Sequence, residues 1–173
     1  MTATSHRILV MGVSGSGKSH IGRLVAKYLS IDFIDGDRYH SPGNIEKMAR
    51  GVPLTDADRQ EWLDTLAGLF DEHRRRNESV VIACSALKAR YRDILRQGDP
   101  ALSILYLRGG RKLLLERLST RQGHFFKGDS MLDSQLADLE PPDDGEALGL
   151  DISLPPETIA GEFARWLRRH EMS

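Results

Sequence analysis

Apolar positions along this chain follow two alternating rhythms. Unbroken apolar runs at Ile8–Met11 and Val80–Cys84 have the length and composition of buried strands, and Leu102–Leu107, broken only by Ser103, reads as another strand. Between them, apolar residues recur at helical spacing. Ile21, Leu24, Val25, Tyr28 and Leu29 share one helix face, as do Trp62, Leu63, Leu66, Leu69 and Phe70. The same holds for Tyr91, Ile94 and Leu95, for Leu113, Leu114 and Leu118, and for Ile159, Phe163, Trp166 and Leu167. Asp32–Asp35 reads as a short second strand, and Leu148–Ile152 as a last, glycine-interrupted strand at an edge. Ser41-Pro42 and Thr55, with Asp56 and Asp58 behind it, have the chemistry of helix starts. The spacing predicts a short helix over Asn44–Arg50, stopped by Gly51, and a weak one over Met131–Leu139, stopped by Pro141-Pro142. Residues 36–40 read as a polar loop, and Thr120–Ser130 as an irregular polar stretch. Strands alternating with helices predict an α/β fold of three layers, a parallel sheet covered on both faces with right-handed crossovers. Ligands of such sheets sit at the carboxyl ends of the strands.

One stretch at such an end sharpens the picture. Gly12-Val13-Ser14-Gly15-Ser16-Gly17-Lys18-Ser19 fits G-x-x-x-x-G-K-[ST] at every fixed position, between a predicted strand and a predicted helix. Its glycines let the backbone wrap an anion closely. Its N–H groups and the following helix N-terminus point at the phosphates of a nucleoside triphosphate. Lys18 is expected to reach the β- and γ-phosphates, and the Ser19 hydroxyl to hold Mg²⁺.

Composition narrows what the nucleotide serves. The 173 residues suggest a single domain, with 24 Lys+Arg against 25 Asp+Glu, a net charge of −1. That balance offers no general attraction for nucleic acid or anionic membrane. No apolar run is long enough to span a bilayer. The lone Cys84 excludes an internal disulfide and fits the cytoplasm, and the six histidines show no paired metal-ligand spacing. The chain has neither the Asn-Lys-x-Asp nor the Asp-x-x-Gly that a guanine-nucleotide switch needs.

Polar residues leaving three separate strands should meet near the loop: Lys18, Asp35 and Asp37, and Ser85 with Lys88. Phosphoryl transfer needs a carboxylate near Mg²⁺ and another group to orient or deprotonate the attacking hydroxyl. Asp35 is assigned to the hydrated metal and Asp37 to the hydroxyl, against the alternative that Asp-Gly only makes a turn. Lys88 and Arg92 share a helix face and would suit an anionic acceptor, unless they mark a solvated surface. Arg117 and Arg121 share another face and lead into the irregular stretch. There Arg117 is assigned to the nucleotide and Arg121 to the transferring phosphoryl group, under a lid of about 120–139 that excludes water. Spacing alone does not separate this from a surface helix. Gly123-His124-Phe125-Phe126-Lys127 places two aromatics in a polar segment, and His124 would hydrogen-bond substrate or phosphate.

Together these stretches resemble the gluconokinases, small ATP-dependent kinases of the phosphate-loop class related to shikimate and nucleoside monophosphate kinases. The resemblance covers nearly the whole chain. It rests on Gly12–Ser19, Asp35-Gly36-Asp37 through His40, Asn44–Met48, Pro53–Asp56, Cys84-Ser85-Ala86-Leu87-Lys88 with Tyr91-Arg92-Asp93, and Gly123–Lys127. It implies transfer of the ATP γ-phosphate to the 6-hydroxyl of D-gluconate, a five-stranded sheet, a lid and a homodimer. It makes Lys88 and Arg92 gluconate ligands and strengthens His124. Cys84-Ser85 stands where many phosphate-loop enzymes carry a metal-binding carboxylate, which moves the Mg²⁺ role towards Ser19 and Asp35. The alternative acceptor is another small anion such as shikimate.

Overall fold

The structure is a computed structural model that describes residues 4–122 and 128–171, with side chains described except at 120–122, 128, 129, 170 and 171. Five strands form one parallel sheet in the order β2-β3-β1-β4-β5. They are β1 (Arg7–Met11), β2 (Asp32–Asp35), β3 (Val80–Ala83), β4 (Ser103–Arg108) and β5 (Leu148–Asp151). The described helices are α1 (Lys18–Leu29), α2 (Pro42–Ala49), α3 (Asp56–Arg75), α4 (Ala89–Arg96), α5 (Arg111–Gln122), α6 (Gly128–Asp138) and α7 (Pro156–Glu171).

Strand alternation sorts the core into two layers. Ile8, Val10, Val81, Leu105 and Leu107 face one side and pack with residues of α1, α5, α6 and α7. Leu9, Met11, Val80, Ile82, Ile104 and Tyr106 face the other and pack with α3 and α4. Every residue from Ile8 to Met11 and from Val80 to Ile82 is fully buried, as unbroken apolar runs require of a sheet covered on both faces.

The elements match the expected ones with local differences. The polar segment after β2 is a 3₁₀ turn, Gly36–Tyr39, because the Asp35 carboxylate accepts from the Asp37 N–H at 3.1 Å and caps it. α2 begins at Pro42, two residues before the predicted start, since Ser41 caps it and proline fits the first turn. α3 opens on a full capping box between Thr55 and Asp58. α6 starts at Gly128 rather than Met131. Its first turn is polar, so apolar spacing did not mark it. The later part of the expected lid packs on the body, with Leu132 fully buried in the core.

Candidate active site

Register sets the site. Val10 of β1 pairs with Ala83 of β3, and Ala83 pairs with Asp35 of β2. The phosphate loop, Cys84 and Asp35 therefore leave the sheet along one edge. Gly36 lies so close to β3 that a Cβ there would stand 2.5 Å from the Ala83 carbonyl. The Gly36 carbonyl accepts from the Trp62 indole at 2.8 Å, which ties the Asp35–Asp37 turn to α3.

The charges at this edge act on the buried groups beside them. Burial pushes the Cys84 thiol well up, the charge of Asp37 adds to that, and Lys18 opposes it. The charges of Asp37 and Lys18 thus both reach the buried sulfur, with opposite effect. His40 is buried and stacked on Trp62 at 4.0 Å. Burial holds its imidazole below the usual range, Asp37 pulls it up and Arg59 pushes it down.

The loop is built for an anion. Gly15 and Gly17 have φ of 86° and 89°, left-handed values that suit glycine. Gly17 precedes α1 with no side-chain cap, and the first turn of α1 carries no acid. Its leading N–H groups are the orphan donors of a helix start, with Lys18 beside them. In the structure the Lys18 ammonium donates to the Val13 carbonyl at 3.2 Å, folded over its own loop. Ser19 is half-buried in the same turn. Asp35 spends one carboxylate oxygen on the Asp37 N–H, so turn chemistry is part of its role. Among the described residues no group of three or more His, Cys, Asp or Glu side chains gathers as a metal site. Ser19 and Asp35 would hold a cation only with phosphate oxygens completing its shell, which fits a metal that arrives on a nucleotide.

The acceptor side differs from the expectation. Lys88 already holds a carboxylate: its Nζ lies 3.1 Å from Asp56, which also accepts from Arg90 at 2.9 Å and from the Tyr91 hydroxyl. The Tyr91 and Lys88 bonds hold the Asp56 carboxyl below its usual range, and the Asp56 bond holds the Lys88 ammonium above its own. Arg92 is a correction. It is 1% exposed, and its guanidinium is filled from within the protein. It donates to the carbonyls of Ala86 at 2.9 Å, Leu87 at 3.1 Å and Glu140 at 2.8 Å, and to the Glu146 carboxylate at 3.0 Å. A further bond of 3.4 Å to Glu146 uses its last N–H. No donor is left for a substrate. Arg92 instead shapes the turn after β3, where Ala86 takes a left-handed φ of 47°. Lys88 is the extended residue just before α4 and Arg92 lies within it, so the two do not share a helix face as four-residue spacing predicted, and burial divides their roles.

Arg117 donates to the Ile152 carbonyl at the end of β5, 2.6 Å away. That fastens α5 beside the turn after the last strand. The Arg121 side chain and the whole of 123–127, His124 included, lie outside the described residues. Two side chains were missed. Arg59 donates to the Tyr91 hydroxyl at 2.9 Å and stands 4.0 Å from Asp138. Gln135 of α6 bonds Ser14 of the loop. The partners lie 32 to 121 residues apart in sequence, so no local pattern announced them.

A parallel five-stranded sheet with a phosphate loop after β1 and facing acids and bases defines an ATP-dependent phosphate-loop kinase. Residues 14–141 match the Shikimate kinase family. The thermoresistant gluconokinase of Escherichia coli is 46% identical over 95% of this chain and 94% of its own length. The gluconokinase of Gluconobacter oxydans is 42% identical over 91% of this chain and 89% of its own. A crystal structure of a gluconokinase from Sinorhizobium meliloti superposes with a TM-score of 0.87 at 38% identity, covering 99% of this chain and 98% of that one. This chain belongs to the gluconokinase family.

Proposed function

We propose that the chain transfers the γ-phosphate of ATP to the 6-hydroxyl of D-gluconate, giving 6-phosphogluconate. The observation that carries the reading is the uncapped start of α1 with Lys18, brought by strand register to the same sheet edge as the Asp35–Asp37 turn. In this reading Gly12–Ser19 hold the phosphates and Lys18 stabilises charge developing on the transferring group. Asp37 orients the acceptor hydroxyl and takes its proton. Ser19 and Asp35 hold Mg²⁺, whose charge neutralises the phosphate oxygens. Arg117 flanks the nucleotide, Arg121 faces the transferring phosphoryl group, and His124 meets the substrate. Lys88 exchanges Asp56 for the gluconate carboxylate, with Arg59 as the second cation on that side. Arg92 has no place among the ligands.

The names of the relatives support gluconate as the acceptor. The reading also takes the enzyme as a cytoplasmic homodimer, as the family resemblance implies, which light scattering of the purified protein would test. The acceptor is tested by offering ATP with gluconate, shikimate and other small acids, and reading the product by ³¹P NMR. Phosphorylation of gluconate at the 6-position is expected. Turnover of shikimate and not of gluconate would refute the acceptor.

A further inference from the structure

Gln135 sits on α6 and makes a two-point contact with Ser14 of the phosphate loop. The Ser14 backbone N–H lies 2.7 Å from one end of the Gln135 amide, and the Ser14 hydroxyl 2.9 Å from the other. Chemistry fixes which end is which. A backbone N–H only donates, so its partner is the carbonyl Oε1. The other end is then the Nε2 amide, which donates to Ser14 Oγ. Because Oγ accepts from Gln135, the Ser14 hydroxyl proton points away from α6. Among the described residues nothing accepts that proton. The loop that carries it is the one whose neighbouring N–H groups face a phosphate.

Gln135 is held firmly enough to impose this. Leu132, one turn earlier on α6, is fully buried in the core layer that also holds Val13 and Leu118. Asp133 takes a fork from Arg111 of α5 at 2.6 and 3.1 Å. Asp138, three residues on, stands 4.0 Å from Arg59 on the acceptor side. One short helix therefore touches both halves of the cleft.

We infer that Gln135 is a positioning residue for the nucleotide: it turns the Ser14 hydroxyl so that this O–H donates to the phosphate chain of ATP. The inference rests on the kinase reading. Gln135 fixes a proton direction that a free serine would leave to rotate, and so presents a donor before the nucleotide arrives.

Calorimetric titration of MgATP into the full chain tests it, with S14A, Q135E and the double variant. Q135E keeps an acceptor for the Ser14 N–H but replaces the Nε2 donor by a second acceptor. The Ser14 proton then turns back onto residue 135. Each single change is expected to weaken ATP binding roughly tenfold, the scale of a hydrogen bond to a charged group. Q135E should add little in the S14A background, because both act through one hydroxyl. In kinetics the KM for ATP should rise while the KM for the acceptor holds. If the new carboxylate merely repelled ATP, the losses would be additive, and the inference would be overturned. Unchanged affinity in Q135E would overturn it too. Should Q135E fold poorly, Q135M removes both bonds without adding charge, leaves the Ser14 hydroxyl free to rotate and is expected to weaken ATP roughly threefold, less than S14A does; wild-type affinity there would be equally fatal. The titration needs no acceptor, so the two readings fail separately. A wild-type chain that binds no ATP sinks the kinase reading itself, whereas wild-type binding unchanged in the variants sinks only the role of Gln135.

Discussion

Two helices leave the same edge of the sheet, and their N-termini are treated in opposite ways. α1 follows β1 with no side-chain cap and no acid in its first turn. α4 follows β3 and also lacks a cap of its own. There, however, the Glu140 carboxylate reaches in to accept from the Ala89 N–H at 2.8 Å, and Arg92 gathers the neighbouring carbonyls. One helix start takes a side-chain cap from a distant residue and the other has none. Orphan donors at a helix start must find partners. A start without a side-chain cap suits an anion, and the phosphate-loop motif lies at that end. The contrast also explains why Arg92 and Lys18, both cations at strand exits, belong to different parts of the molecule.

The sharpest way to break the contrast is at its open end. Lys18→Ala should lower kcat by about a thousandfold, since it removes a charge aimed at the transition state. Its thermal unfolding should be close to wild type. A coupled assay of ADP release reads the first effect and calorimetry the second. Asp37→Asn should lower kcat by roughly a hundredfold, with a smaller change in the KM for gluconate. An unchanged kcat removes Asp37 from the chemistry.

Changes at the closed end should act on stability. Arg92→Met leaves Glu146 with Arg96 alone and the carbonyls of Ala86 and Glu140 unfilled, while Leu87 keeps the Glu140 N–H. The expected loss is about 3 kcal/mol, read by denaturant unfolding. Lysine cannot reproduce the fork, so Arg92→Lys should recover little of it. A rise in the KM for gluconate with unaltered stability would return Arg92 to the ligands. Glu140→Ala removes only the distant cap of α4 and should cost about 1 kcal/mol.

The smallest effect concerns pH. Burial lowers the His40 pKa in the folded chain from its ordinary value of 6.5. Below 6.5 the unfolded chain binds this proton more readily than the folded one, so stability falls as pH drops through that window. His40→Gln should flatten the slope of unfolding free energy between about pH 6.5 and the lowered value.

How much of this was legible in the sequence follows the same division. The phosphate loop needs only eight consecutive residues, and β1 and β3 announce themselves by unbroken apolar runs, so β1, α1 and β3 could be read locally, whereas the five-stranded sheet came from the family resemblance. Asp35 and Asp37 were legible because topology alone carries them to the loop's edge. Arg92 was not. Its burial depends on Glu140 and Glu146, 48 and 54 residues away, and an arginine looks the same from sequence whether it faces solvent or fills a turn. Lys88 was half legible: it lies at the expected strand exit, but its pairing with Asp56 needs α3 packed beside it. The start of α6 was hidden because a polar first turn carries no apolar period.

The most direct test of the central claim is a crystal structure with a non-hydrolysable ATP analogue and D-gluconate bound together. The account places the phosphates on the open N-terminus of α1 beside Lys18, with the 6-hydroxyl of gluconate between Asp37 and the terminal phosphorus. Phosphates bound elsewhere, or gluconate seated with its 6-hydroxyl remote from Asp37, would contradict it.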